Sequence, residues 1–255
     1  MSEAAVLTEV HGKVMVITLN RPDAMNAVNA DLAQQLAAAL DSLDEDPNVS
    51  VGVLTGNGRG FSAGMDLKDF AEGRFPNVEG RGFGGITEAP PKKPLIAAVE
   101  GFALAGGLEL ALSCDLIVSS EGAKFGIPEA GVGLFAGAGG LLRLPRVLPY
   151  AVAMRMALTA KPISAEQAFE YGMVTELAPK GEALAKAIEL AEQIAKNAPL
   201  ALIASKALLR DMQGRTEDEF WEHQKEHFNL VFGSEDGVEG ATAFAEKRAP
   251  NWQGK

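Results

Sequence analysis

Cysteine is nearly absent from this chain. Cys114 is the only one in 255 residues, so no intrachain disulfide can form and a reducing compartment is expected. Positive charge is also scarce: 23 Lys and Arg stand against 34 Asp and Glu, a net charge of −11, which leaves no electrostatic footprint for nucleic acid. No apolar run is long and uncharged. The most apolar stretch, 95–112, is interrupted by Glu100 and Glu109, so no transmembrane helix is expected. The opening "MSEAAVLTEVHGK" carries Glu3 and Glu9 without an apolar h-region; no signal peptide is expected, and the cytoplasm is the expected location. Nucleotide-binding loops are missing too. "GNGRG" (56–60) and "GAGG" (137–140) both miss the G-x-G-x-x-G spacing, and no G-x-x-x-x-G-K-[ST] occurs. Both glycine clusters read as tight turns, with a phosphate cradle at either helix start left open. Histidine is limited to His11, His223 and His227. "HQKEH" (223–227) reproduces the H-x-x-E-H pattern of some zinc proteases, but it lies on a late, strongly acidic helix, and the only other histidine is His11 in the hairpin turn. No metal is expected.

What is present is a hydrophobic content of 47%, enough for a sizeable core, and a pattern that changes along the chain. Val6, Thr8 and Val10 alternate, "HGK" turns and "VMVITL" follows, the pattern of a β-hairpin. "NADLAQQLAAALDSL" sets Leu32, Leu36, Leu40 and Leu43 at helical spacing behind the N-cap Asn29. Strands are expected at 50–56, in "PLIAAVE", in "DLIVSS" and in "AKFG", with a short helix in "DLKDFAEG" and another over 104–113. Residues 73–91 are rich in Gly and Pro and read as a long mobile loop. From about 145 the chain turns helical. Ser164 with Gln167, and Thr216 with Glu219, have capping-box spacing, and helices are expected over 164–171, 181–197, 199–213, 216–232 and 235–248. The chain divides into a core (1–195) and a C-terminal helical region (196–255).

Two features carry chemistry. In "FSAGMDL" and "ALAGGLEL" a strand gives way, through small residues, to a helix start, whose first amides have no intrahelical acceptor. Two such starts facing one point would offer the paired N–H donors of an oxyanion hole. Taken alone, the small residues serve equally to pack helix against sheet. The second feature is a pair of carboxylates. Glu109 stands in the apolar "GFALAGGLELALSCD" and Glu129 follows Pro128 in "KFGIPEAGVG", neither with a basic residue beside it. An unpaired buried carboxylate costs several kcal/mol or takes up a proton, and two of them near an anion-stabilising pocket suit acid–base work on a carbon beside a carbonyl.

At these residues the sequence resembles the enoyl-CoA hydratase/isomerase, or crotonase, family. The resemblance covers nearly the whole chain: "LNRPDAMNAV", "GRGFSAGMDLKDF", "KKPLIAAVEGFALAGGLELALSCD", "AKFGIPEAGVGLFAGAGGLLRLPR", "ISAEQAFEYGMVTEL" and "EGATAFAEKRAPNW". It implies an α/β fold, a crotonase-like spiral of ββα units, with C-terminal helices that build a homotrimer, commonly paired into a homohexamer. It implies an oxyanion hole at the N–H groups of Met65 and Gly106, and Glu109 and Glu129 as the paired acid–base residues of the hydratase branch, with Glu109 holding water for C3 and Glu129 exchanging a proton at C2. Coenzyme A, part of the substrate rather than a separate cofactor, would lie along Ala24, Ala27, Ala63, Met65, Asp66, Leu67, Lys68 and Gly106. Phe244 and Lys247 would reach it from a neighbouring subunit. The chain departs from the family pattern at Ala105, which replaces the first of three glycines, and at Leu108, Ala136 and Leu141, which bear on the acyl group accepted. An isomerase, a hydratase/dehydratase of a specialised acyl-CoA (aromatic, sterol-derived or carnitine-like), a catalytically silent scaffold and an RNA-binding homologue are the rival readings. The helix "KGEALAKAIELAEQIAKN" balances Lys180, Lys186 and Lys196 against Glu182, Glu189 and Glu192, which disfavours RNA.

Overall fold

The computed structural model describes residues 4–255. Its centre is a six-stranded sheet ordered β1-β2-β3-β6-β8-β11. The hairpin β1 (Val6–His11) and β2 (Val14–Leu19) supplies one edge. The strands β3 (Val51–Gly56), β6 (Leu95–Val99), β8 (Leu116–Ser120) and β11 (Glu176–Ala178) then run parallel to β2. Parallel neighbours require crossovers, and a parallel sheet is covered on both faces. The period-two alternation of β2 shows how. Met15, Ile17 and Leu19 point into the larger core with Leu32, Leu36, Leu40 and Leu43 of α1 (Ala30–Glu45). Val14 and Val16 point the other way, against Ala187, Ala191 and Ala195 along α7 (Ala183–Ile194). Alanines four apart let that helix sit close on the sheet. Asn29 caps α1 by accepting from the Leu32 N–H at 3.0 Å. Glu100, which breaks the apolar run in sequence, accepts from the amides of Gly181 and Ala183 at the start of α7, so its charge meets the positive end of a helix.

A smaller three-stranded sheet, β10-β9-β7, lies beside the first. It comprises β7 (Phe102–Leu104), β9 (Lys124–Gly126) and β10 (Ile163–Ser164). The helices that follow α1 along the chain are α2 (Leu67–Ala71), α3 (Gly106–Ala111), α4 (Gly140–Val147), α5 (Tyr150–Thr159) and α6 (Ala165–Glu170). The helix expected over 104–113 is therefore shorter, because Phe102–Leu104 is taken by the second sheet. Both capping boxes form, at Ser164 and Thr216. The C-terminal region is α8 (Pro199–Asp211), α9 (Glu217–Phe232) and α10 (Glu235–Glu246). Lys206 and Arg210 of α8 tie it to the core through Asp115, at 2.6 and 3.1 Å.

The mobile loop expected over 73–91 is corrected. Residues 77–78 and 82–83 form a small antiparallel hairpin, β4 (Asn77–Val78) and β5 (Gly82–Phe83), and residues 82–87 are buried. The segment is fastened from both sides: Arg81 donates to the Gly85 carbonyl and pairs with Asp41 of α1, and Arg143 of α4 donates to the Thr87 carbonyl. Gly82, Gly84 and Gly85 serve close packing here, and the fastening comes from residues some forty to sixty positions away in sequence.

Candidate active site

The two glycine-rich helix starts meet. Asn26, buried and in the left-handed region at φ 52, holds the first of them: its Nδ2 donates to the carbonyls of Asn57 and Gly60 at 2.8 and 2.9 Å. Ser62 links the same turn, its hydroxyl donating to the Asn26 carbonyl and accepting from the Gly64 N–H. Gly64, at φ +97, lies so close to the second start that a Cβ there would stand 2.8 Å from the Gly106 nitrogen and 2.7 Å from the Ala105 Cβ. This is a backbone approach only glycine permits. Met65 bridges to Val28 through its neighbours' amides and carbonyls, so its own N–H is not used there. Among the described residues neither the Met65 N–H nor the Gly106 N–H has an acceptor. Ala105, at φ 50, adopts a conformation that favours glycine.

Glu109 is buried on α3 at 3% exposure. Its Oε1 accepts from the Ala138 N–H at 2.7 Å and the Gly140 N–H at 2.8 Å. The "GAGG" turn thus cradles a carboxylate of the protein itself, and the phosphate cradle left open for it is withdrawn. Burial pushes the Glu109 pKa up, and the two amides and the Arg143 charge only partly oppose it. Glu129 sits on a 3-10 turn, Pro128–Val132, directly after β9 and the intervening Ile127. Burial, reinforced by the negative charge of Glu109, pushes its pKa up to about 7. Its Oε2 is buried without a hydrogen-bond partner among the described residues. Orphaned polar atoms of this kind concentrate where chemistry is done.

Both carboxylates line one cavity of about 500 Å³, together with Ala63, Met65, Leu67, Ala105 and Gly106. The geometry can therefore hold an acceptor oxygen on two free amides beside a pair of carboxyl groups with raised pKa values.

Comparison with known proteins places this arrangement. A family model for enoyl-CoA hydratase/isomerase matches residues 9–255. The chain belongs to the enoyl-CoA hydratase/isomerase family. A carnitinyl-CoA dehydratase from Salmonella typhi is 42% identical over 263 aligned positions, spanning the whole of both chains. The solved structure of an enoyl-CoA hydratase from Mycobacterium marinum is 54% identical, with a TM-score of 0.97 over 99% of this chain and 100% of that one. A carnitinyl-CoA hydratase from Mycobacterium avium is 40% identical, with a TM-score of 0.79 over 100% of both chains. The fold is accordingly the crotonase fold.

For a member of this family, the remaining expected residues are distributed as follows. Ala24, Ala27, Asp66 and Lys68 lie outside the cavity lining; Asp66 and Lys68 adjoin its member Leu67 in sequence, and Ala24 and Ala27 adjoin Met25 and Val28, whose backbone groups hydrogen-bond to the 63–66 segment. Asp66 caps α2 through the Lys68 N–H and takes both terminal nitrogens of Arg21 at 3.1 Å. Burial would raise its pKa, but the Arg21 and backbone hydrogen bonds prevail and hold it below the usual carboxylate range. Phe244 lies on α10 and Lys247 is its C-cap; neither lines this cavity, and Phe244 is 87% exposed. His223 packs edge-to-face on His227 and its Nε2 lies 2.8 Å from Asp211; among the described residues no group of three or more His, Cys, Asp or Glu is placed to hold a metal. The sequence reading missed Asn26, Ser62 and Arg143. Asn26 and Ser62 stand in quoted motifs, and nothing local distinguishes them from other polar loop residues. Arg143 looks like one more surface charge of an amphipathic helix until its Nη2 is seen on the Thr87 carbonyl.

Proposed function

We propose that the protein adds water across the 2,3 double bond of a trans-2-enoyl-CoA thioester and removes it in the reverse direction. The observation that carries this reading is the convergence of Glu109, Glu129 and the unpaired amides of Met65 and Gly106 on one cavity. In this reading the thioester oxygen accepts from the two amides. Glu109, anchored through Oε1, holds a water with its other oxygen and takes its proton as the water oxygen bonds to C3. The C2–C3 π pair moves into the enolate, whose charge the two amides stabilise where it develops. Protonated Glu129 then delivers a proton to C2 as the enolate collapses. Glu109 ends with the proton that Glu129 has lost, and exchange with solvent restores the pair. A Glu129 pKa near 7 suits a group that must both give and take a proton at neutral pH.

The reaction needs no metal or redox cofactor, since acid–base chemistry on a thioester supplies each step; coenzyme A enters with the substrate. The chain acts, in this reading, as a homotrimer or a pair of trimers in the cytoplasm, with Phe244 and Lys247 offered to a neighbour's coenzyme A and Ala24, Ala27, Asp66 and Lys68 beside their own. Exposed Phe228, Leu230 and Phe232 on α9 support association. A second reading, a hydratase/dehydratase of a specialised acyl-CoA, is supported by relatives named for carnitinyl-CoA. The test is a panel of trans-2-enoyl-CoA thioesters, followed by loss of the conjugated-thioester absorbance and by product mass. Gain of one water supports the proposal; migration of the double bond without water overturns it.

A further inference from the structure

A second cavity, also of about 500 Å³, lies between α4 and α8, and its charged residues are nearly all of one sign. Arg143 and Arg146 of α4 and Lys206 and Arg210 of α8 line it, against a single carboxylate, Asp115. The whole chain carries a net charge of −11, so an excess of three positive charges in one cavity runs against the composition. Arg143 also adjoins the active site. Its Nη1 donates to the carbonyl of Ala138, a residue that lines the other cavity and whose N–H donates to Glu109.

The four cations converge. Lys206 and Arg210 meet on one carboxylate, 2.6 Å from Asp115 Oδ2 and 3.1 Å from its Oδ1. Burial lowers the Arg143 pKa, and the charges of Arg210 and Arg146 lower it further, so the three guanidinium groups stand within range of one another. Burial likewise lowers the Lys206 pKa; Asp115 opposes this and Arg210 adds to it. Asp115 is fully engaged, because it also accepts from the Leu95 N–H at 2.8 Å. The side chain of Arg143 donates only to the neutral carbonyls of Ala138 and Thr87, and Arg146 makes no ion pair or side-chain hydrogen bond among the described residues. Leu112, Leu116 and Leu202 are among the other lining residues. Like charges gathered beside apolar walls are unfavourable until an opposite charge joins them.

We infer that this cavity binds a phosphate group, carried by inorganic phosphate or by a phosphate monoester, with Arg143, Arg146 and Arg210 as its ligating residues. A phosphate near neutral pH carries a charge of about −1.5 to −2, whereas a carboxylate would cancel only one of the three surplus charges. Guanidinium forks meet phosphate oxygens two at a time, which suits a site built from arginines. The Lys206 side chain, 8% exposed, and Asp115 hold Arg210 in place before any ligand arrives, which lowers the cost of binding. The leucines offer room for the organic part of an ester. None of the residues expected to contact coenzyme A lines this cavity, and the inference does not depend on the hydratase reading.

The test titrates the purified protein, in its native assembly, with inorganic phosphate and with phenyl phosphate by calorimetry in a phosphate-free buffer. Saturable binding of at least one probe is expected, with a Kd of about 1 mM or tighter, and it should weaken as chloride is raised. Tighter binding of phenyl phosphate assigns the site to an ester, and equal or weaker binding assigns it to the free ion. Arg146→Gln should weaken binding roughly ten-fold, and Arg146→Glu should abolish it. Arg146 is exposed, so both variants should melt with wild type in the absence of phosphate, which separates lost binding from lost fold. The affinity should be unchanged when the active-site cavity is filled with butyryl-CoA, a saturated thioester. Absence of saturable binding, binding indifferent to both Arg146 variants, or competition with butyryl-CoA overturns the inference; in the last case the phosphate occupies the coenzyme A site. If Arg146→Glu dissociates the assembly and wild type binds no phosphate, a carboxylate of a second copy fills the cavity and the inference falls.

Discussion

The shared cavity of Glu109 and Glu129 makes a sharp prediction about pH. In the proposed mechanism hydration uses a pair that carries one proton, on Glu129; dehydration uses the same total, with the proton on Glu109. The two directions must therefore share one pH profile, because the titration belongs to the pair and not to either residue. Its alkaline limb is set by loss of the last proton. Burial, reinforced by the neighbouring Glu109 charge, puts that loss at Glu129 near 7. Above it the protonated share falls about ten-fold per pH unit, so kcat/KM should be down by roughly a hundred-fold at pH 9 relative to its plateau below 7. Because kcat/KM reports the free enzyme, the geometry described above is the relevant one. The assay is initial-rate loss of conjugated-thioester absorbance for hydration, and its gain for dehydration of the 3-hydroxyacyl thioester, each from pH 5 to about 9. A rate flat to pH 9, or limbs that differ between the two directions, would refute the paired-carboxylate reasoning.

Glu109→Gln and Glu129→Gln should each lower kcat by at least about 10²-fold while leaving thioester affinity nearly intact, and the double variant should be little worse than the worse single, as stopped-flow binding and steady-state rates will show. Gly140→Ala introduces a Cβ 3.0 Å from Glu109 Oε1 and 3.1 Å from the Ala136 Cβ; the displaced carboxylate should lose about ten-fold or more in kcat with KM little changed. Glu129→Gln should also stabilise the fold at alkaline pH. The native pKa of about 7 exceeds the ordinary 4.5, so the native state binds the proton more tightly and loses stability as pH rises from 4.5 to 7. Partial exposure trims the resulting penalty to about 1–2 kcal/mol. The variant should melt a few degrees above wild type at pH 8 and level with it at about pH 4; equal melting at pH 8 would contradict the burial argument. Light scattering at micromolar concentration should return the mass of a trimer or hexamer, and a monomer would contradict the proposed assembly.

Much of the fold was legible where local pattern and tertiary role agree. The leucines of α1 repeat at helical spacing and all four are fully buried, and the β1–β2 hairpin follows from alternation around "HGK". The misreadings have a common cause. Residues 73–91 lack periodicity, and their order comes from Asp41 and Arg143, which no local window contains. The short strands β10 and β11 have two and three residues and exist only because β9 and β8 offer edges to pair with.

The candidate site divides the same way. Glu109 and Glu129 stood out because a carboxylate in an apolar setting is costly and demands a reason. What holds Glu109 in place is backbone: the amides of Ala138 and Gly140. A backbone amide leaves no residue type in the sequence, only the glycine that lets it come close. Gly140 shows the point, since it is packed within 3.1 Å of the Glu109 side chain by the position its missing Cβ would take. In sequence it belongs to a cluster that reads as a turn or a phosphate loop. In the fold its amide anchors one oxygen of a carboxylate whose pKa is already raised by burial. That anchor leaves the second oxygen free for the proposed water, so in this proposal the glycines of "GAGG" and the acid of "GLELAL" are two halves of one device.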